Sequence, residues 1–400
     1  MKRLWIGLLA LLLSLTMCGC DLQEIMGVFE QAPEKEVLEA TPEEEILSSV
    51  EMSLTLLENG YAYDCLSSKQ QKNYEALVEK LYERRGQDTK VDDRFGLEIT
   101  LPRPLDSEED MKELLDAVMD DHPEFFYLRS QYGWIIEGDS YTKARFFYLW
   151  DAEERAQKAE EFEEAVDVLL EQAEGLTPLE QEYVFHDALI ERCEYNEEAA
   201  NESDEDPDTY HRANSAYAAL CDGAPICGGY ARAFQLLLSR VGIPCTPLVN
   251  EDHMWTMVWL GDEVYHVDVT WDDPLEEREQ WIYFNVTDEE IRATRDYPEQ
   301  TRPVPEATDT MYNFYVMNGW HFAYVDEEAL SDCIRRQIED GADVIELRFD
   351  EDAFEEASEY LLEENGFYQV VYALEDDELR DAWLTSLYCS KNEGHCITLV

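Results

Sequence analysis

The stretch that most constrains this chain is CDGAPICGGYARAFQLLLSRVGIPC (221–245), followed closely by DHMWTMVWLGDEVYHVDVTWDDP (252–274). In the first, a turn of small residues leads to Cys227. From Tyr230 to Arg240 the apolar residues Ala233, Phe234, Leu237 and Leu238 recur at helical spacing. Gly228 and Gly229 allow the backbone a close approach to a ligand, and Gly242 and Pro244 end the helix. Cys227 therefore stands at or just before a helix N-terminus, where unpaired N–H groups and the macrodipole favour an anion, and so a thiolate over a thiol.

The second stretch reads as two strands, MWTMVWL and EVYHVDV, around the hairpin turn Gly261-Asp262. With a two-residue turn, Leu260 faces Glu263, and the same register sets His253 opposite Thr270 and diagonal to Asp268. Diagonal neighbours lie roughly 7–8 Å apart at Cα, within reach of an imidazole–carboxylate hydrogen bond. A loop one residue longer turns Asp268 to the other face. A cysteine at a helix start, a base and an orienter form the constellation for acyl transfer through a thioester.

Several further pieces accompany these: HDALIERCEYN (186–196), ANSAYAAL (213–220), ICGGYARAF (226–234), His253-Met254-Trp255, YHVDVTWDDP (265–274) and YFNVTDEEI (283–291). In this order they resemble the transglutaminase-like superfamily, a papain-related cysteine-enzyme fold, and in particular its bacterial secreted branch. The resemblance covers roughly residues 177–298. It implies an α+β core with the nucleophile helix packed on an antiparallel sheet. It also implies roles: Cys227 as nucleophile, His253 as general base and acid, and Asp268 as the group that orients His253. The family commonly has Ala after the His and Asn after the Trp, where this chain has Met254 and Thr256. That departure bears on substrate shape and on hydrogen bonding around the site. Tyr217, Gly228 and Trp255 are the candidates for substrate or oxyanion contact, beside the Cys227 backbone N–H. For Tyr217 a packing role is the alternative. His186 reads as structural, His266 as facing the cleft or buried beside it, and Asp272 and Asp273 as turn-formers.

At the start of the chain, Lys2 and Arg3 precede an apolar run from Leu4 to Met17, shorter than the roughly 20 residues that span a bilayer. The run stops at small residues and cysteines. Gly19 before Cys20 suits a lipoprotein signal in which Cys20 is diacylated and becomes the mature N-terminus. Cys18 is the less suitable position, and an ordinary signal peptide or uncleaved anchor is the alternative. Two acyl chains hold stably to a membrane.

The chain carries 30 Lys and Arg against 92 Asp and Glu, a net charge of −62, spread along its length. That argues against nucleic acid, whose affinity rests on cation–phosphate contacts, and favours cationic substrates. A hydrophobic fraction of 45% with 12% aromatics is ample for a folded core. Setting aside Cys18, Cys20 and Cys227 leaves Cys65, Cys193, Cys221, Cys245, Cys333, Cys389 and Cys396. This odd remainder does not form a disulfide framework, although Cys389 and Cys396 flank a turn and are placed to pair. The others read as buried small apolar residues. No CxxC or HExxH spacing occurs, so no metal and no cofactor is expected.

The expected organisation is a lipoprotein signal peptide (1–20), an acidic tether (21–40), an N-terminal α+β domain (41–175), the transglutaminase-like domain (176–300) and a C-terminal α+β module (301–400). Thr41-Pro42-Glu43-Glu44 and Thr177-Pro178-Leu179-Glu180 both read as helix starts. In the last module MYNFYVM and WHFAYV read as a hairpin about Asn318-Gly319, and FYQVVYA as a strand, which gives the order ββαβαββ. The expected function is an extracytoplasmic cysteine acyltransfer enzyme, lipid-anchored at the outer face of a bacterial membrane. It acts on amide bonds of a protein or peptide substrate, with hydrolysis favoured over transamidation. The alternative is a catalytically inactive binding or scaffold lipoprotein on the same fold.

Overall fold

A computed structural model describes residues 60–201, 207–250, 252–273, 281–295, 302–342, 344–385, 389–391 and 395–399. The signal peptide, Cys20, the tether and the helix expected from Thr41 lie outside the described residues. The fold is mixed α+β, and its described residues fall into two compact units, one up to Asp309 and one from Thr310 onward.

The first unit begins with α1 (Tyr61–Cys65) and α2 (Ser68–Arg84). A reciprocal cap between Ser67 and Gln70 starts α2, which buries Tyr74, Leu77 and Leu81 at helical spacing. The strands β1 (Lys90–Val91), β2 (Arg94–Leu105), β3 (Leu128–Glu137) and β4 (Ser140–Tyr148) form an antiparallel sheet of order β1-β2-β4-β3. Between β2 and β3 lies α3 (Glu108–Asp121), whose Asp110 N–H donates to Ser107 Oγ at 3.0 Å. Phe125 to Tyr127, expected as strand, are buried in turns ahead of β3. Next come α4 (Ala152–Gln172) and α5 (Pro178–Arg192), each opened by a reciprocal cap, Asp151 with Glu154 and Thr177 with Glu180.

Short helices α6 (Glu197–Asn201) and α7 (Pro207–Ala213) and a π-helical turn (Ala218–Asp222) lead to α8 (Cys227–Val241). Every residue of α8 from Gly228 to Leu238 is buried, because other elements cover it on all sides: α4, α5, and the strands β5 (Cys245–Val249) and β6 (Met254–Leu260). Gly242, at φ 87°, closes the helix in the left-handed cap that only glycine adopts at little cost. The two glycines at its start are required by the packing of the chain itself. A Cβ on Gly228 would lie 1.6 Å from Asn214 Oδ1, and one on Gly229 2.5 Å from the Ala213 carbonyl. They let the 213–215 segment lie directly on the first turn of α8.

The strands β5, β6 and β7 (Glu263–Val267) form the antiparallel sheet on which α8 packs. Their register pairs Leu260 with Glu263 and Thr256 with Val267, as a two-residue turn requires. The ladder stops there. Asp268 caps α9 (Val269–Asp272), so Thr270 lies in a helix and does not face His253. The returning segment bridges His266 to Val286 and then enters α10 (Asp288–Thr294), capped reciprocally by Thr287 and Glu290.

The boundary expected between residues 175 and 176 falls inside this unit. The reason lies at the end of α3, where orphan carbonyls need donors. Arg232 of α8 donates to the Met119 carbonyl at 2.9 Å and Gln235 to that of Asp120 at 2.6 Å. Arg302 reaches the Asp120 carboxylate at 2.8 Å.

The second unit departs from the expected ββαβαββ order. MYNFYVM is not a strand: Asn313 accepts from the Tyr315 and Val316 N–H groups and opens α11 (Phe314–Asn318), and Gly319, at φ 69°, ends it. Asn318-Gly319 thus closes a helix instead of turning a hairpin. FYQVVYA is also helical, as α14 (Gly366–Tyr372), with Phe367, Val370, Val371 and Leu374 buried at a spacing of three and four. The remaining elements are β8 (His321–Phe322), α12 (Glu327–Glu339), β9 (Ile345–Phe349), α13 (Glu351–Ser358), a π-helical turn (Glu359–Glu363), α15 (Asp377–Thr385), β10 (Cys389–Lys391) and β11 (Cys396–Leu399). The sheet order is β10-β11-β9-β8, with only β8 and β9 parallel. Cys396 is buried, and the expected pairing with Cys389 involves a side chain outside those described.

One buried group in the first unit is costly. Glu182 of α5 is fully buried, with Oε2 accepting from Asn285 Nδ2 at 3.0 Å and Oε1 without a partner. Burial pushes its carboxyl up to about 8, against the opposing hydrogen bond from Asn285. A folded-state value raised this way favours the fold at low pH, and the benefit is lost as pH rises from about 4.3 through about 8. Glu182→Gln removes the titration and supplies an N–H₂ in place of Oε1. The variant is expected to be more stable at pH 8 by about 2–4 kcal/mol and near-equal at pH 4, measured by urea unfolding at both pH values.

Candidate active site

The side chains of Cys227, His253 and Asp268 come from three places that the fold brings together. Cys227 opens α8 and is partly exposed. His253 sits immediately before β6, in a tight turn where its N–H donates to Asn250 Oδ1 at 2.8 Å and its carbonyl accepts from the Asn250 N–H at 3.0 Å. Asp268 follows β7, with its side chain fully buried. His253 Nε2 lies 2.7 Å from Asp268 Oδ2. The Cys227 thiol is near enough to act electrostatically on the same imidazole. With Nε2 donating to the carboxylate, Nδ1 is the ring nitrogen left for the thiol. The His253–Asp268 contact read from the sequence is thus present, although the strand ends two residues early and both residues lie beyond the ladder.

Two electrostatic consequences follow. Burial pulls the His253 imidazole downward, but the Asp268 charge, the hydrogen bond to Asp268 and the Cys227 thiol outweigh it and push the group up to about 9. Burial likewise acts to raise Asp268, and the charges of His253 and Arg295 reverse it to about 2. The carboxylate is therefore ionised throughout the physiological range, and the imidazole is held as a cation beside the thiol.

Arg295, just past α10, was not singled out in the sequence. Its Nη1 donates to Asp268 Oδ2, the oxygen that also accepts from His253. Its guanidinium lies 3.8 Å from the ring centre of Trp271, 4.6 Å from that of Tyr283 and 5.4 Å from that of Trp255. The signal for it was faint, a lone arginine some 27 residues beyond Asp268 with no motif around it. Tyr195 and Tyr210 were also missed. Both face the charge of Cys227, and burial is the main reason that both phenols are raised. Tyr210 is 41% exposed and Trp271 39%, so aromatic side chains stand at the open edge of the site.

The three candidates for substrate or oxyanion contact take other places. Tyr217 is buried against Phe126, Phe162 and Trp150, its hydroxyl donating to Glu161 and accepting from Lys158. Gly228 lies against Asn214. Trp255 is buried beneath His253, and its indole N–H donates to His266 Nδ1 at 3.1 Å. His266 in turn donates from Nε2 to Asp288 at 2.8 Å, and burial holds its imidazole below the ordinary value. His186 pairs with Asp272 at 3.0 Å in a fully buried contact stacked on Trp281, and Tyr230 donates to Asp273. Both carboxylates tie α9 to its neighbours. A cavity of about 20 Å³, room for one water, lies between Asn214, Arg232, Ser130 and His211, and Cys227 does not line it. Among the described residues, no three His, Cys, Asp or Glu side chains are grouped to hold a metal ion.

Residues 169–285 match the family described as the transglutaminase-like superfamily. The chain therefore carries a transglutaminase-like domain, whose members are typically cysteine enzymes. No curated protein matches the chain. A solved structure described as "Crystal structure of a TGase" aligns with 51% of this chain at 12% identity and a TM-score of 0.26. The chain spans 60% of the length of that structure.

The raised His253 value makes a stability prediction. Its contribution is fully present below the unfolded value near 6.5 and is lost as pH rises through about 9. The native protein is expected to lose about 3 kcal/mol more than His253→Ala between pH 6 and pH 9.5, measured by urea unfolding across that range.

Proposed function

We propose that the chain is an extracytoplasmic cysteine acyltransfer enzyme acting on amide bonds of protein or peptide substrates. The observation that carries the reading is one imidazole joined through Nε2 to a buried carboxylate, with a partly exposed thiol at a helix start acting on the same ring. The Cys227 thiolate attacks the amide carbonyl. The developing oxyanion is met by the Cys227 N–H, one of the donors that a helix start leaves unpaired. His253 gives its proton from Nδ1 to the leaving amine, while Asp268 holds Nε2–H and so fixes the tautomer. The resulting thioester passes to water, deprotonated by the neutral Nδ1, and the acid leaves. Water is always at hand as acceptor, which favours hydrolysis over transfer to an amine.

A catalytically inactive scaffold needs the cleft closed by Met254 or a tryptophan. Against it, Cys227 is partly exposed while Met254 and Trp255 are buried. Diacylation at Cys20 would hold the enzyme at the outer face of a bacterial membrane.

Two experiments test this. Iodoacetamide alkylation of the full-length protein in detergent is followed against pH, with peptide mapping and the exposed Cys65 as internal reference. Cys227 is expected to react at pH 6 at least ~10-fold faster than Cys65, and His253→Ala is expected to abolish the difference. Equal rates, unchanged in the variant, overturn the enzyme reading. For the anchor, Cys20→Ala is expected to move the protein from the membrane fraction to the soluble one; an unchanged distribution overturns lipidation at that position.

A further inference from the structure

Asp268 is a full charge with no exposed surface, and its contacts account for all its acceptor positions that matter. Oδ1 takes the Trp271 N–H at 3.2 Å, which fixes the plane of the carboxylate at the start of α9. Oδ2 takes two donors, His253 Nε2 and Arg295 Nη1. Of these, only the guanidinium is a permanent cation; the imidazole gains and loses its charge in the proposed reaction. Arg295 is itself 4% exposed in its side chain, and its Nε and Nη2 have no hydrogen-bond partner. What surrounds it instead is aromatic: Trp271, Tyr283 and Trp255. Ring faces offer a desolvated cation partial compensation and hold its plane, but they do not neutralise it. Its countercharge is Asp268.

We infer that Arg295 is a positioning residue for the proposed reaction, holding Asp268 ionised and aimed while drawing part of its charge away from the His253 imidazolium. The inference rests on the reading of Cys227, His253 and Asp268 as a working set. A carboxylate shared with a fixed cation binds the imidazolium less tightly than an undivided one would. That matters because His253 serves twice: it gives a proton to the leaving amine, then takes one from water. A carboxylate that held the imidazolium too firmly would stall the second step. Arg295 also keeps Asp268 an acceptor when the imidazole is neutral, so Nε2–H stays fixed and Nδ1 stays the base.

Among the described residues, the charged and titratable groups around this centre include Cys227 from α8, with Tyr195, Tyr210 and Arg232 facing it, His253 ahead of β6, Asp268 ahead of α9, Tyr283 from the returning segment and Arg295 after α10. Behind Trp255 lies the His266–Asp288 pair, with Arg292 at 3.1 Å from Asp288. The Arg295 charge also lowers His266, but its direct ion pair is with Asp268.

The test reads the upper inflection of the Cys227 alkylation profile, which reports loss of the His253 imidazolium proton. The native full-length protein is compared with Arg295→Gln and Arg295→Lys, with thermal unfolding recorded for each. Arg295→Gln is expected to move the inflection up by about one pH unit, since the undivided carboxylate retains the imidazolium longer. Arg295→Lys, which keeps the cation, is expected to stay within about 0.3 units of native. An inflection that His253→Ala abolishes but Arg295→Gln leaves in place overturns the inference alone. A lysine variant that shifts as far as the glutamine one, or unfolding of both, makes Arg295 a structural prop and overturns it too. An inflection absent from the native protein removes the enzyme reading and this inference with it.

Discussion

A buried carboxylate without a countercharge is among the most expensive things a fold can contain. Asp268 sits at the junction of β7 and α9 with no exposed side-chain surface, so the surrounding chain has to deliver donors to it. His253 arrives from the turn before β6, Arg295 from the end of α10, and the Trp271 N–H from the first turn of α9. Each delivery fixes an element. The Asn250–His253 turn sets where β6 begins, the Asp268 cap sets where β7 ends, and the guanidinium holds the end of α10 against three aromatic rings. The geometry proposed as catalytic is thus also what makes this part of the sheet self-consistent. A site built this way tolerates little drift, because loosening any one donor leaves the same buried charge uncompensated.

The opposite edge of the site rests on size rather than charge. The thiol is carried by α8, the most enclosed helix of its unit, and its first turn lies flat against Ala213, Asn214 and Ser215. Two glycines permit that contact. Close packing of the backbone there fixes the position of Cys227 in the direction that the carboxylate network does not reach. Cys227 and His253 are therefore located by independent devices, steric on one side and electrostatic on the other.

Much of this was legible in the chain. The register of the hairpin follows from its two-residue turn, and with it the meeting of His253 and Asp268. The helix start at Thr177, with Pro178 next and Glu180 closing the reciprocal cap, stands as its sequence reads. What escaped has physical causes. Arg295 makes its contacts through space, by a charge and three rings, and no local pattern marks such an arginine. The packing role of Gly228 and Gly229 depends on the 213–215 segment opposite them, a contact that no local pattern reveals. Asn318-Gly319 is chemically equivalent as a hairpin turn and as a left-handed helix cap; Asn313, capping five residues earlier, decided for the helix. FYQVVYA has strand composition but helical spacing in its buried residues, and tertiary burial overrode propensity. The hydrogen bonds that cross residue 175, from α8 to carbonyls at the end of α3, are a polar debt invisible to periodicity.

The charge of the chain fits the same logic. With 30 Lys and Arg against 92 Asp and Glu, cations are scarce, yet several arginines are buried rather than spread over the surface. Arg155 donates to the carbonyls of Arg85, Trp150 and Gln87, Arg232 to that of Met119, and Arg302 to that of Pro247. These guanidiniums act as multi-pronged donors to loop and helix-end carbonyls, a use that needs the rigid fork of arginine more than its charge. At Arg302 and Arg295 the charge itself is used as well, against Asp120 and Asp268. The consequence is a division of labour by depth: cations stabilise the interior, and the exterior is left strongly negative. Such an exterior favours the approach of a cationic group over an anionic one, a preference that weakens with added salt.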